Sequence, residues 1–378
     1  MTGAPVGRHG LTDRQRLAWL RLIRTDNVGP QTFRDLINRF GSAEAALEAL
    51  PELARRGAGR DALRPFPASA AEAELETAAR FGARFVAVGE ADYPPLLRRI
   101  AGPPPLLAVK GDAAVLALPA VSIVGARNAS LAGIKMARTL ARDLGREGYA
   151  IVSGLARGID AAAHTGGLDT GTVAVLAGGL DRPYPPENVA LCAEIAERGA
   201  LVSEMPFGWE PRARDFPRRN RLVAGLSLGL VVVEAAVRSG SLISARLAGE
   251  AGRLVFAVPG SPLDPRTAGA NGLLKQGATL VTEARDVLAA LAPLAGRRVQ
   301  GPDAIEEPPD FSGAPPPADS DRARIVECLG PTPVGVDEII RHTGLHPAQV
   351  FMVLLELDLA GRLERHSGGG VSLLVGRM

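Results

Sequence analysis

From about residue 82 onward, short apolar runs alternate with stretches of helical spacing, and few folds accommodate such a pattern. The runs fall at 85–88, 106–109, 121–124, 149–152, 173–176, 200–202, 230–233, 254–258 and 279–281. They are nearly continuous in apolar residues, as strands buried on both faces require. Helical stretches fill most of the gaps, at 131–147, 160–166, 187–198, 219–224, 241–252 and 283–292. Strand, helix, strand in series predicts an α/β fold, a doubly wound Rossmann-like parallel sheet covered on both faces, over 80–295. Aromatic residues make up 4% of the chain and hydrophobic residues 46%, so the core is aliphatic.

The 378 residues exceed one ordinary domain. Residues 11–76 read as short helices: Leu17, Leu20, Leu22 and Ile23, then Phe33, Leu36, Ile37 and Phe40, recur at helical spacing around the turn Asp26-Asn27-Val28-Gly29-Pro30. This is a SAM-like or helix-hairpin-helix-like pattern. Such a turn can offer amides to phosphates, but the turn has no Lys or Arg, which favours a packing module. Residues 296–318 are rich in proline and acids and read as a linker. Residues 319–378 give three helices, at 322–329, 336–342 and 347–359, and a hairpin turning at Gly368-Gly369-Gly370, the outline of a winged helix.

In an open parallel sheet, ligands bind beyond the carboxyl ends of the strands. Several loops there carry glycine and arginine. Gly125, Arg127 and Ser130 open one helix, which suits a phosphate. Ser153, Gly154, Arg157 and Gly158 follow the next strand, and the paired glycines Gly178 and Gly179 the one after. The densest basic stretch places Arg212, Arg214, Arg218, Arg219 and Arg221, with Asn220, around Phe216 and Pro217. Cations beside a ring suit a single strand: the cations track phosphates and the ring stacks a base. Ser239, Gly240 and Ser241 open a further helix, and Lys275 extends the rim. The formal net charge is only +2, so a nucleic-acid site depends on this local concentration.

The runs SIVGARNAS (122–130), VSGLARGIDAAAH (152–164), AVLAGGLDRPYPPEN (174–188), SEMPFG (203–208), FPRRNRLVAGLS (216–227) and SGSLISA (239–245) resemble, in this order, the DprA/Smf family. YPPLLRRI (93–100) resembles an extension of the Rossmann domain in that family. The resemblance implies a homodimer that binds single-stranded DNA and helps load the RecA recombinase in natural transformation. It implies a pocket made of Arg127, the loop Gly154 to Gly158, and Phe216, Arg218, Arg219, Asn220 and Arg221. It assigns no catalytic residue, and the family often carries Lys where this chain has Arg218.

Other chemistries fit less well. The dinucleotide fingerprint lacks its second and third glycines, and the next strand ends in Ser153 rather than an acid. A Rossmann-like nucleotide phosphoribohydrolase needs an acid at the bond cleaved, and only Asp160 and Glu234, each with a structural reading, are available. Gly225-Leu226-Ser227-Leu228-Gly229 follows a helix and precedes a strand, the reverse of a nucleophile elbow. A duplex-binding regulator is disfavoured because 347–356, the third helix of the winged domain, has no Arg or Lys to read base edges. His164 reads as structural, the five histidines show no zinc spacing, and Cys192 and Cys328 read as buried free thiols. No cofactor and no metal are predicted. Residues 1–10 lack an apolar signal core and no apolar run reaches membrane-spanning length, so the expectation is a cytoplasmic protein with no membrane contact.

Overall fold

The computed structural model describes residues 10–57, 63–295, 316–366 and 368–374. The linker at 296–318 therefore lies mostly outside the described residues. The chain divides into two compact units, one built on residues 74–295 and one that combines residues 11–73 with the C-terminal segment.

The second unit begins with α1 (Asp13–Arg24), α2 (Pro30–Phe40) and α3 (Ala43–Arg56), and the chain leaves it within α4 (Ala68–Arg80). Local chemistry sets these boundaries. Thr12 and Gln15 form a reciprocal capping box, with Thr12 N–H donating to Gln15 Oε1 at 2.9 Å and Gln15 N–H to Thr12 Oγ1 at 3.3 Å. Pro30 occupies an N-terminal position of α2, where its missing N–H costs nothing. Gly41, at φ 74°, ends α2 in the left-handed region, and Ser42 Oγ caps α3 at 3.2 Å.

The first unit holds one nine-stranded sheet in the order β1-β2-β6-β5-β4-β3-β7-β8-β9. Its elements are β1 (Ala83–Ala87), β2 (Leu106–Gly111), β3 (Ala120–Val124), α5 (Leu131–Arg146), β4 (Ala150–Ser153), α6 (Ile159–Gly167), β5 (Thr172–Val175), α7 (Val189–Arg198) and β6 (Ala200–Ser203). There follow α8 (Asp215–Gly225), β7 (Gly229–Val232), α9 (Gly240–Glu250), β8 (Leu254–Ala257), α10 (Ala268–Lys275), β9 (Thr279–Leu280) and α11 (Ala284–Ala295). Strands β3 to β9 are mutually parallel, with Val121 opposite both Ile151 and Gly229. Successive residues of one strand feed opposite faces. Leu230 and Val232 join Leu222 and Val223 in one apolar layer, while Val231 joins Leu140 and Leu144 in the other.

Two expectations need correction. The sheet is not wholly parallel: β1 pairs antiparallel with β2, and β2 antiparallel with β6. The segment joining β1 to β2 carries only the short 3₁₀ turn Leu97–Arg99, too little for a parallel crossover. Helix α8 starts at Asp215, not 219, because proline is tolerated in a first helical turn. Of the arginines expected on one loop, Arg218, Arg219 and Arg221 therefore lie on the helix, and Arg212 and Arg214 precede it.

The second unit resumes with α12 (Asp319–Glu327), β10 (Val334–Gly335), α13 (Val336–Thr343), α14 (Pro347–Leu359), β11 (Leu363–Arg365) and β12 (Gly370–Leu373). Three helices and a small antiparallel sheet ordered β10-β12-β11 form a winged helix. Helix α14 is apolar on two faces. Val350, Val353, Leu354 and Leu357 fill the core of its own domain, whereas Met352, Leu355 and Leu359 pack with Leu22, Phe33, Leu36, Leu47 and Leu50 of the N-terminal helices. A polar seam surrounds that contact. Asn27 Nδ2 donates to Leu359 O at 3.0 Å, Thr32 Oγ1 to Asp358 Oδ2 at 2.8 Å, and Arg365 bridges Asp358 at 3.0 Å and Asp35 at 3.2 Å. A Cβ at Gly57 would lie 2.1 Å from Glu356 O, so glycine is what lets α3 close on α14. The two ends of the chain thus share one core. Leu355→Ala is expected to destabilise this unit by about 2–5 kcal/mol and to open both residues 11–57 and residues 316–366 to protease together. Cleavage confined to the C-terminal domain would contradict a shared core.

Candidate functional site

A pocket opens over the carboxyl ends of β3, β4 and β5, against the first turn of α8. Its floor is the buried side chain of Arg219, whose Nη1 donates to Gly154 O and, at 3.2 Å, to Val175 O. A Cβ at Gly154 would meet that guanidinium at 1.5 Å, so the loop can lie on the arginine only with glycine there. Asp160, at the start of α6, accepts the amides of Gly154 and Ala156 at 3.2 and 3.3 Å. Burial pushes the Asp160 carboxyl up from its ordinary range, opposed by the charge of Arg219 and by the two amides. Burial likewise pulls the Arg219 guanidinium down, and Asp160 holds it up. Gly158, at φ 73°, passes so close to the Ala126 and Arg127 carbonyls that no side chain would fit. The two arginine-bearing loops are thereby locked together.

The pocket wall is an aromatic and cationic stack. Phe216 is half-buried, with the Arg127 guanidinium 5.3 Å and the Arg219 guanidinium 5.8 Å from its ring centre. Tyr184 meets Phe216 edge to face at 5.8 Å and is 49% exposed, so Tyr184 is the ring with free surface. Arg157 also lines the pocket but sits 3.5 Å from Glu187 Oε1. Arg127 is exposed, and among the described residues no carboxylate is paired with it.

Of the residues singled out in the sequence, the structure brings together Arg127, Gly154, Arg157, Phe216 and Arg219. Gly158 joins them from beneath. The others lie elsewhere. Arg218 and Arg221, three apart on α8, both bind the buried Glu204: Arg218 Nε is 2.9 Å from its Oε1, and Arg221 holds the other oxygen and also Gly102 O at 2.8 Å. Asn220, half-buried on α8, does not line the pocket. Ser153 is buried, with its hydroxyl donating to Ile123 O at 2.6 Å. Gly125 allows Ile159 to approach the end of β3. The amide and hydroxyl of Ser130 both donate to Glu234, so a carboxylate of the protein already occupies the anion position at the start of α5. Ser239 caps α9 through Ser241 N–H at 3.3 Å, beside Gly240, and Lys275 is exposed in the last turn of α10. None of these last four lines the pocket. The paired glycines Gly178 and Gly179 face protein: their Cβ atoms would meet Trp209 O at 2.7 Å and Pro206 O at 2.4 Å.

Sequence reasoning missed Tyr184 and the clamping role of Asp160. The run Pro183-Tyr184-Pro185-Pro186 read as a rigid turn, and a tyrosine held between prolines was the available signal. His164 is buried, with Nδ1 2.8 Å from Thr172 Oγ1. Burial first, then the charge of Arg219, lowers its pKa to about 3. Among the described residues no group of three His, Cys, Asp or Glu side chains could hold a metal ion, and no helix is long and apolar enough to cross a membrane. Cys192 is buried, Cys328 is partly exposed, and both are free thiols.

A Rossmann-like sheet carrying a cationic pocket floored by a buried arginine and walled by two aromatic rings has the chemistry to accept an anion attached to a planar ring. Family models agree with the architecture. "DNA recombination-mediator protein A" matches residues 84–292, "DprA-like N-terminal HHH domain" residues 13–77 and "DprA winged helix domain" residues 307–369. The chain belongs to the DprA/Smf family. It is 39% identical to Protein Smf of Escherichia coli over 284 residues, 74% of this chain and 75% of that one. It is similar to the structure of DNA processing protein A from Streptococcus pneumoniae, with a TM-score of 0.63 and 34% identity over 74% of this chain and 98% of that one. A structure of DNA processing protein A from Helicobacter pylori, solved to describe its single-stranded DNA binding mode, aligns at a TM-score of 0.51 and 32% identity over 56% of this chain and 96% of that one.

The His164 environment carries a pH consequence. Its folded pKa is depressed, so below about 6.5 the unfolded chain takes up a proton that the folded chain refuses. The stability is therefore complete above that pH and falls as pH drops toward 3. In acid unfolding curves between these limits, His164→Gln should show a shallower loss than the parent; identical slopes would contradict a neutral buried imidazole.

Proposed function

We propose that the pocket binds single-stranded DNA, with a backbone phosphate on Arg127 and an unstacked base against Tyr184 and Phe216. The observation that carries this reading is the exposed, carboxylate-free Arg127 lying on the Phe216 ring. A phosphate there meets a cation that has no internal partner to abandon. An unpaired base can reach Tyr184, whereas a base in a duplex stays inside its stack. Contacts to backbone and ring face make binding nearly independent of sequence. The single-stranded DNA binding mode of the Helicobacter pylori relative supports the same class of ligand.

The wider reading follows the family resemblance. The chain acts as a cytoplasmic homodimer that protects the strand and passes it to the RecA recombinase, without breaking a bond itself. Support for a binding role comes from the engagement of the carboxylates around the rim: Asp160 accepts two amides, Glu234 caps α5 and Glu187 pairs with Arg157. A duplex reader built on α14 loses support, since that helix is packed on both apolar faces.

Anisotropy titrations of a labelled single strand and its matching duplex test the reading. Single-strand affinity should fall roughly 10-fold or more in Arg127→Ala, the equivalent of one charged hydrogen bond. Arg218→Ala, which removes a cation already paired with Glu204, should change it by less than about 3-fold. Equal binding to duplex, or a larger loss in Arg218→Ala than in Arg127→Ala, would overturn the assignment.

A further inference from the structure

A second ring and cation pair stands beside the pocket and outside its lining. Trp209 lies between β6 and α8, half-buried, with its indole Nε1 donating to Asp215 Oδ2 at 2.9 Å. The same oxygen accepts Arg212 N–H at 2.8 Å, and the Arg212 guanidinium lies 4.8 Å from the Trp209 ring centre. The Trp209 carbonyl accepts Gly179 N–H at 3.0 Å, in the loop that carries Tyr184. Asp215 immediately precedes Phe216. Trp209 is therefore anchored by its indole edge to the start of α8 and by its backbone carbonyl to the loop that carries Tyr184. Arg212 and Arg214 are exposed, and among the described residues neither is in an ion pair.

We propose that Trp209 and Arg212 form a second stacking subsite for the single strand as it leaves the Arg127 pocket, with Arg214 meeting the adjoining phosphate. The inference rests on the single-strand reading of that pocket. Three features favour it over simple closure of a loop. The Nε1 bond fixes the plane of the ring, as a stacking platform requires. A guanidinium lying over an indole presents its own flat face to a base. And both arginines are exposed, with neither side chain in an ion pair among the described residues. Successive nucleotides would then alternate ring and cation: Tyr184 with Arg127, then Trp209 with Arg212.

Trp19 and Trp209 are the two tryptophans of the sequence, so the full chain carrying Trp19→Phe reports on Trp209 alone. That variant should be titrated with an oligothymidylate of about 20 nucleotides, with indole fluorescence and the anisotropy of a labelled copy followed in parallel. Saturable quenching that tracks anisotropy is expected. Arg212→Ala, at an exposed position, should weaken this oligomer roughly 5- to 100-fold, as loss of one stacked base does. It should leave an oligomer of about 3 nucleotides, long enough only for the Arg127 pocket, within about 2-fold. Anisotropy that saturates while indole emission stays constant would overturn the subsite and leave the single-strand reading standing. Absence of any anisotropy change would remove that reading, and the subsite with it.

Discussion

A buried guanidinium organises the functional rim. Arg219 reaches from α8 into the carboxyl ends of β4 and β5, donating to the carbonyls of Gly154 and Val175. A buried charge is tolerable only with a compensating partner, and Asp160 supplies one while tying down the loop amides. The glycine at 154, the orientation of Phe216 one turn earlier, and the proximity of the Arg127 loop all depend on this strut. The buried cation fixes the shape of the site, and the exposed cation, Arg127, remains for the ligand.

The position of the pocket follows from the same economy of charge. A doubly wound sheet offers a crevice where strand order reverses, here between β3 and β7. Glu234 fills that crevice by taking the Ser130 amide and hydroxyl, and its carboxylate lies where Gly133 has no side chain. An anion entering there would displace a carboxylate from a helix N-terminus. The open site is displaced toward β4 and β5, where the cations outnumber the available acids.

Much of this was legible in the sequence because it rests on local rules. Continuous apolar runs marked the strands to within a residue or two, and glycine and arginine after three of them marked the loops that meet. What stayed hidden depends on partners distant in sequence. Nothing near Arg218 or Arg221 announces that Glu204 binds both, and nothing near Ser130 announces Glu234. The periodicity at Phe216 was masked by Pro217, so a helical turn read as a loop, and five basic residues were pooled that the helix in fact divides. The apolar surplus of α14 was visible, but its partner, the helices at the other end of the chain, was not.

Among the arginines lining the pocket, Arg127 alone is held ready for a phosphate. The most direct test is the salt dependence of single-strand affinity in the parent and in Arg127→Ala. Release of counterions from one phosphate contributes about 0.7 to the slope of log affinity against log salt. The variant's slope should be smaller by about that amount. An unchanged slope, with affinity lost uniformly at every salt concentration, would contradict it and return the phosphate to another cation.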